Sequence, residues 1–330
     1  MVHRYQKIYG EFSCIAAACP DSCCKKWDVL VDEETALRYQ TQTGPLGEYI
    51  RGHLRQEDGE WYFSIVDGRC PMWREDGLCR IQAQKGHEAL CQTCRDFPRL
   101  RHDYGDFVEH QLELSCPEAA RLILTGEQGW EEQTQPGGEA PDYDREDMDI
   151  LLQTRQEVLR ILQDSRFSVK QSLTLALLYG YRAQDALDGE ELTPFNSTEE
   201  LAFAASVAGQ TPGEALAPFY QTLEILTPQW RALLAQPCGD GSWDGGLRRL
   251  ACYSVERYWL QAISDFDLVG RVKMIVAACL LVRQLGGQLL RTAQLYAKEI
   301  ENNIDNVEAI LDGAYAHPLL TDANLLRLLR

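Results

Sequence analysis

Nine of the twelve cysteines in this 330-residue chain, at positions 14, 19, 23, 24, 70, 79, 91, 94 and 116, fall within the first 116 residues. Only Cys238, Cys252 and Cys279 lie beyond them. The N-terminal MVHRYQKIYGEF lacks the apolar stretch of a secretory signal, so a cytoplasmic location and reduced thiols are expected. Crowded reduced thiols point to metal ligation ahead of disulfides or redox relays. Cys91-x2-Cys94 has the short separation that lets two sulfurs reach one ion. Cys14-x4-Cys19-x3-Cys23-Cys24 places four thiols in eleven residues, a run that no regular zinc finger uses. Adjacent Cys23 and Cys24 need not serve one centre, because successive side chains leave an extended backbone in opposite directions. Cys70 and Cys79 flank a loop containing Gly77 and supply a further pair, and Cys116 follows later. Nine thiols fill either two four-ligand sites with one left over, or one site plus structural cysteines. Zinc and iron-sulfur both accept four thiolates in tetrahedral arrangement, so the spacing leaves both open. His87 and His110 are further ligand candidates that so many thiols make unnecessary.

The elements that carry these thiols are short. Asp32 is placed to cap a helix over Val31 to Arg38, with Glu33 and Glu34 in its first turn. Trp61 to Val66 reads as a strand leading to Cys70. Arg99 to Leu114 reads as a hairpin around Asp103-Tyr104-Gly105-Asp106, where Val108, His110, Leu112 and Leu114 alternate with polar residues. Pro117 to Leu124 starts a helix, with proline where its missing N–H costs nothing. Between Gly126 and Asp149 stand nine acidic residues and one basic one, with Pro136, Gly137, Gly138 and Pro141, the signature of a linker or exposed loop. From there the apolar period is helical, and the spacing predicts helices over Leu216 to Leu234, Leu250 to Ile263, Val269 to Leu285 and Leu289 to Ile300, with a last one ending near Leu329. The expected fold is mainly α: a Cys-rich metal-binding module with short strands or a hairpin over 1–126, an acidic linker over 127–149, and an all-helical bundle over 150–330.

Composition narrows the function. Hydrophobic residues make up 45% of the chain and charged ones 25%, enough apolar surface for a folded core. The longest apolar run, Met274 to Val282, is nine residues, far short of a bilayer span. Fifty acidic residues against 32 basic ones give a formal charge of −18, with only scattered basic pairs such as Lys25-Lys26 and Arg248-Arg249. A phosphate backbone needs a positive footprint, so neither nucleic acid nor a membrane is an expected partner. An acidic surface suits a basic, lysine-displaying protein better. No Gly-x-Gly-x-x-Gly occurs, which argues against an ordinary Rossmann methyltransferase, and the compact three-cysteine loop of radical enzymes is absent.

Three separated blocks, YGEFSCIAAACPDSCCKKWDV, RCPMWREDGLCRIQAQKGHEALCQTCRDFPRL and LELSCPEAARLIL, resemble the flagellin lysine-N-methylase family, also called FliB, and the wider group of Cys-rich zinc- or iron-chelating domains. The helical remainder is similar more loosely, through Arg257-Tyr258 and the stretch from Tyr296 to Asn306. The resemblance implies methyl transfer from S-adenosylmethionine to lysine side chains of flagellin. It further implies a [4Fe-4S] centre held by cysteines among Cys14, Cys19, Cys23, Cys24, Cys70, Cys79, Cys91, Cys94 and Cys116, with zinc as the alternative metal. Given that chemistry, Tyr296, Glu299 and Asn303 recur at helical spacing and are the catalytic candidates, Glu299 orienting the amine. Arg99 is the candidate for a cofactor carboxylate. Against this stands a metal-binding structural or interaction protein without methyl transfer. A concave space between the two halves favours the enzyme, and sealed metal sites favour the binder.

Overall fold

The computed structural model describes residues 1–25, 27–138, 140–239 and 241–330. Lys26, half of the Lys25-Lys26 pair, lies outside the described residues. The N-terminal region carries seven short strands: β1 (Val2–Gln6), β2 (Val29–Val31), β3 (Leu54–Glu57), β4 (Glu60–Phe63), β5 (Arg99–Asp103), β6 (Phe107–Leu112) and β7 (Trp130–Thr134). Interspersed are α1 (Glu33–Thr41), α2 (Gly44–His53), α3 (Arg80–Lys85), α4 (Gln92–Asp96) and α5 (Pro117–Thr125). The rest is helical: α6 (Arg145–Gln163), α7 (Val169–Leu187), α8 (Ser197–Ala208), α9 (Ala217–Tyr220), α10 (Pro228–Ala235), α11 (Gly245–Tyr258), α12 (Leu268–Leu285), α13 (Leu289–Tyr296), α14 (Ile304–Ala316) and α15 (Asp322–Leu329). The fold is mainly helical with short N-terminal strands. Among the described residues no helix is long and apolar enough to cross a membrane.

Local chemistry explains the elements read from sequence. The Asp32 carboxylate accepts from the Thr35 N–H at 2.9 Å and starts α1. The hairpin of β5 and β6 turns at Gly105, whose φ of 78° is in the region glycine favours. Helix α7 begins with a reciprocal capping box between Ser168 and Gln171. The helix predicted over Leu216 to Leu234 is instead split into α9 and α10. Thr227 caps the second piece and Pro228 opens it, a start signal that the hydrophobic period masked.

The strands form two sheets. β2-β4-β3 is antiparallel, and a second sheet runs β5-β6-β1-β7 with β1 parallel to β6 and antiparallel to β7. Strand β7 lies inside the segment read as a linker, because its backbone completes the edge of β1 from Val2 to Gln6. Two cores follow. The smaller takes residues of 29–91, whereas β6, α5 and the helical half share the larger one. The partition between cores therefore does not fall at residue 126. Residues 107–124 need the helices to cover them.

Strand β6 departs from simple alternation. Val108 and Leu112 are buried as expected, yet Glu109 and Gln111 on the opposite face are also 0% exposed. That face meets α6 and α11: Arg155 donates to both Glu109 oxygens at 2.8 and 2.6 Å, and the Gln111 amide donates to the Glu256 carbonyl at 3.0 Å. Burial raises the Glu256 carboxyl to about 7, although Gln6 and the Trp130 indole donate to it at 2.9 and 3.1 Å. A carboxyl ordinarily near 4.5 and held near 7 when folded keeps a proton that the unfolded chain has lost between those values. Its contribution is therefore full below pH 4.5, declines as pH rises and is gone above about 7. Urea unfolding is expected to show stability falling by about 3 kcal/mol from this group between pH 4.5 and 8. Glu299 and Glu301, also raised by burial, act in the same direction. Glu256→Gln should flatten the decline; an unchanged pH profile would show that Glu256 is already ionised at neutral pH.

Candidate functional site

A cavity of about 390 Å³ opens where the smaller core meets the helical half. Six cysteines line it: Cys23, Cys24, Cys70, Cys79, Cys91 and Cys94. The Cys70 N–H donates to the Cys24 carbonyl at 2.8 Å, which ties the first thiol run to the second. A tight turn closed by Gly77, at φ 82°, folds the chain back so that Trp73 bridges Cys79. Cys79 and Cys91 stand at the N-caps of α3 and α4. Asp32 links the set, since its second oxygen accepts from the Gln92 N–H at 2.8 Å and anchors the start of α4 to α1.

The walls are apolar and aromatic. Trp27, Tyr39, Phe63 and Phe97 contribute from the N-terminal region, and Leu226, Asn302 and Asn303 close the cavity from the helical half. Burial pushes the Cys70 thiol up to about 12 and raises Cys79 as well. The remaining four act as two proton-sharing pairs. A hydrogen bond from Cys23 lowers Cys24 while raising Cys23, and one from Cys94 lowers Cys91 while raising Cys94. Cys23, Cys70, Cys79 and Cys94 thus favour the protonated thiol while Cys24 and Cys91 are tilted toward thiolate, and a cation entering the cavity favours thiolate at each.

Among the described residues, no three His, Cys, Asp or Glu side chains are grouped to hold a metal ion. The donor set is nonetheless of one chemistry, and the cavity that it lines is about 390 Å³. Six thiols of one chemistry are thus the residues that would hold a thiolate-ligated group in this cavity.

Three cysteines read as ligands lie outside this lining. Cys14 is exposed, Cys19 half-buried with its thiol 3.3 Å from the Asp21 carbonyl, and Cys116 is buried at the N-cap of α5. His110 stacks on Tyr5 at 4.2 Å, and His87 is exposed, so neither reaches the cavity. Arg99 does not line it either: its guanidinium lies over Tyr9 and Phe12 at 5.5 and 5.0 Å.

The stripe of Tyr296, Glu299 and Asn303 is not one face of a continuous helix. A π-helical turn over Ala297–Glu301 interrupts the period, and Asn303 becomes the N-cap of α14. Only Asn303 reaches the cavity. Tyr296 is buried against Tyr220 and Trp230, with ring centroids 6.2 and 6.3 Å away. Glu299 is 0% exposed; one carboxylate oxygen accepts from the Leu226 N–H at 2.7 Å, and the other has no partner. Glu299 thus fixes the loop that presents Leu226 to the cavity and does not itself face it. Asn302 and Leu226 carry no motif and follow from the π turn and the split helix. Thr227-Pro228 is the signal that would have revealed that loop.

Comparison with known proteins adds the family. The chain is 36% identical over 120 residues to the flagellar biosynthetic protein FliU of Salmonella muenchen, covering 34% of this chain and 71% of FliU. The chain belongs to the FliU family. Two lysine-N-methylases, of Salmonella typhimurium and Salmonella choleraesuis, are also 36% identical over 120 residues, with 34% of this chain and 30% of each relative covered. The match thus spans under a third of those two relatives, and the expected kinship to lysine methylases stands as a partial homology. No family model matches this FliU-family chain, and no solved structure does.

Proposed function

We propose that the chain is a protein-lysine N-methyltransferase that moves a methyl group from S-adenosylmethionine to lysine side chains of flagellin or another lysine-displaying protein. The observation that carries this reading is the six-thiol cavity between the two halves of a chain partly homologous to lysine-N-methylases. In the transfer the lysine ammonium first gives a proton to solvent, the neutral amine then forms a carbon–nitrogen bond as the sulfonium carbon–sulfur bond breaks, and S-adenosylhomocysteine leaves as the neutral thioether. The amine must therefore arrive neutral. Apolar walls supply that condition, because desolvation lowers an amine's pKa. Trp27 and Phe97 offer aromatic faces to a cationic sulfonium, and the carboxamides of Asn302 and Asn303 offer polar contacts at the rim. The formal charge of −18 suits a lysine-rich approach.

Cys24, Cys70, Cys79, Cys91 and Cys94, with Cys23, are the residues that would hold an iron-sulfur centre, with zinc as the alternative. When bound, such a centre supplies redox or Lewis-acid chemistry beside the methyl donor. The test is anaerobic reconstitution, iron and sulfide analysis, and transfer of radiolabel from S-adenosylmethionine to flagellin. Label on flagellin lysines is the expected result. Loaded protein that binds S-adenosylmethionine but labels no lysine-bearing substrate would overturn the enzyme reading and leave a metal-binding interaction protein.

A further inference from the structure

The thiol run from Cys14 to Cys24 has almost no regular structure of its own, only one turn of 3-10 helix over Ala16–Ala18. Its position is nevertheless defined, by contacts with the helical half. Lys298, in the π turn and 2% exposed, places its Nζ 3.0 and 3.1 Å from the two oxygens of Asp21. Gln294, one turn earlier and 0% exposed, donates from one amide nitrogen to Asp21 Oδ2 at 3.1 Å and to the Ser115 carbonyl at 2.7 Å. Arg291 adds a third cationic or polar neighbour at 3.5 Å.

Asp21 lies between Cys19 and Cys23, and its carbonyl accepts from the Cys19 thiol. Ser115 precedes Cys116. One buried amide therefore spans two segments 94 positions apart in sequence, each beside a cysteine. The Lys298 ammonium also lies 4.9 Å from the centroid of Trp27, a wall of the cavity. A buried lysine held by a single carboxylate is costly to leave unpaired, so the pair fixes geometry where a surface ion pair would not.

We infer that Lys298 and Gln294 are positioning residues for the thiols: through Asp21 and the Ser115 carbonyl they set the turn carrying Cys19 and Cys23 beside Cys116 and seat Trp27 at the cavity. Lys298 lies within the π turn, from which its ammonium meets Asp21. The helical half thus sets the placement of Cys19, Cys23 and Cys116, whatever occupies the cavity and whether or not methyl transfer is the reaction.

The test uses the full chain, metal-free and reduced, and reads alkylation of each cysteine by iodoacetamide with peptide mass spectrometry. In Lys298→Met, Cys19 and Cys116 are expected to react at least about tenfold faster, while Cys252 and Cys279 in the helical core stay protected. Lys298→Arg, which keeps the charge, should restore most of the protection. Asp21→Asn, nearly isosteric, should reproduce the selective exposure and decides the matter if Lys298→Met fails to fold. Wild-type rates at Cys19 and Cys116 in folded Asp21→Asn would overturn the inference. So would a Lys298→Arg protein as reactive as a folded Lys298→Met.

Discussion

If the proposed function holds, Cys91→Ser is expected to abolish retention of a metal group reconstituted into the cavity and to lower methyl incorporation by about 100-fold or more, while the helical half stays folded. Cys91 is 2% exposed, caps α4, lines the cavity and carries the lowered member of a proton-sharing thiol pair. With Cys24 it is one of the two cavity thiols tilted toward the thiolate form. Loss of groups that merely orient ligands already costs 10–100-fold in affinity or activity, and loss of a ligand should cost more. Because Cys70 and Cys91 are themselves buried residues of the smaller core, ligand loss also weakens that core. Iron and sulfide content, labelled methyl transfer and limited proteolysis read the three consequences separately. Cys238→Ser, at an exposed cysteine in the helical half, is the control. Full metal content and turnover in Cys91→Ser would remove the cavity from the proposal.

The largest loss of stability is expected from Arg155→Met, about 3–5 kcal/mol in urea unfolding. Arg155 reaches from α6 to pair with both oxygens of Glu109 on β6, and both side chains are shielded from solvent. Removing the cation leaves a buried carboxylate whose other basic neighbour, Arg4, is 3.8 Å away. The pair joins the sheet that begins the chain to the helices that end it, so the loss should appear in both halves together. Replacing both partners, with Glu109→Leu added, should recover most of the loss, since no charge is then stranded. A double variant as unstable as the single one would mean that the side-chain volumes matter and the charges do not.

Elements whose cause is local were legible before any tertiary contact was known. Asp32 caps its own helix through an N–H three residues on, and the Asp103 to Asp106 turn closes its own hairpin. Readings that assumed unbroken periodicity fared differently. The alternation in β6 marked one face as core, but the polar face is buried too, because Arg155 and Glu256 arrive from helices far along the chain. Tyr296, Glu299 and Asn303 share a spacing, yet a single π turn rotates them onto different surroundings.

The cysteine count and spacing alone determined that the N-terminal region is crowded with thiols and that it uses short elements, because residue type and turn chemistry act over a few positions. Which thiols share a cavity was decided only by the tertiary structure. Cys24 meets Cys70 through a backbone hydrogen bond across 46 positions, and Cys19 and Cys116 are brought near one another through Gln294. Those separations hold no local signal, since the energy that fixes them comes from buried partners such as Lys298 that lie hundreds of residues from the thiols they place.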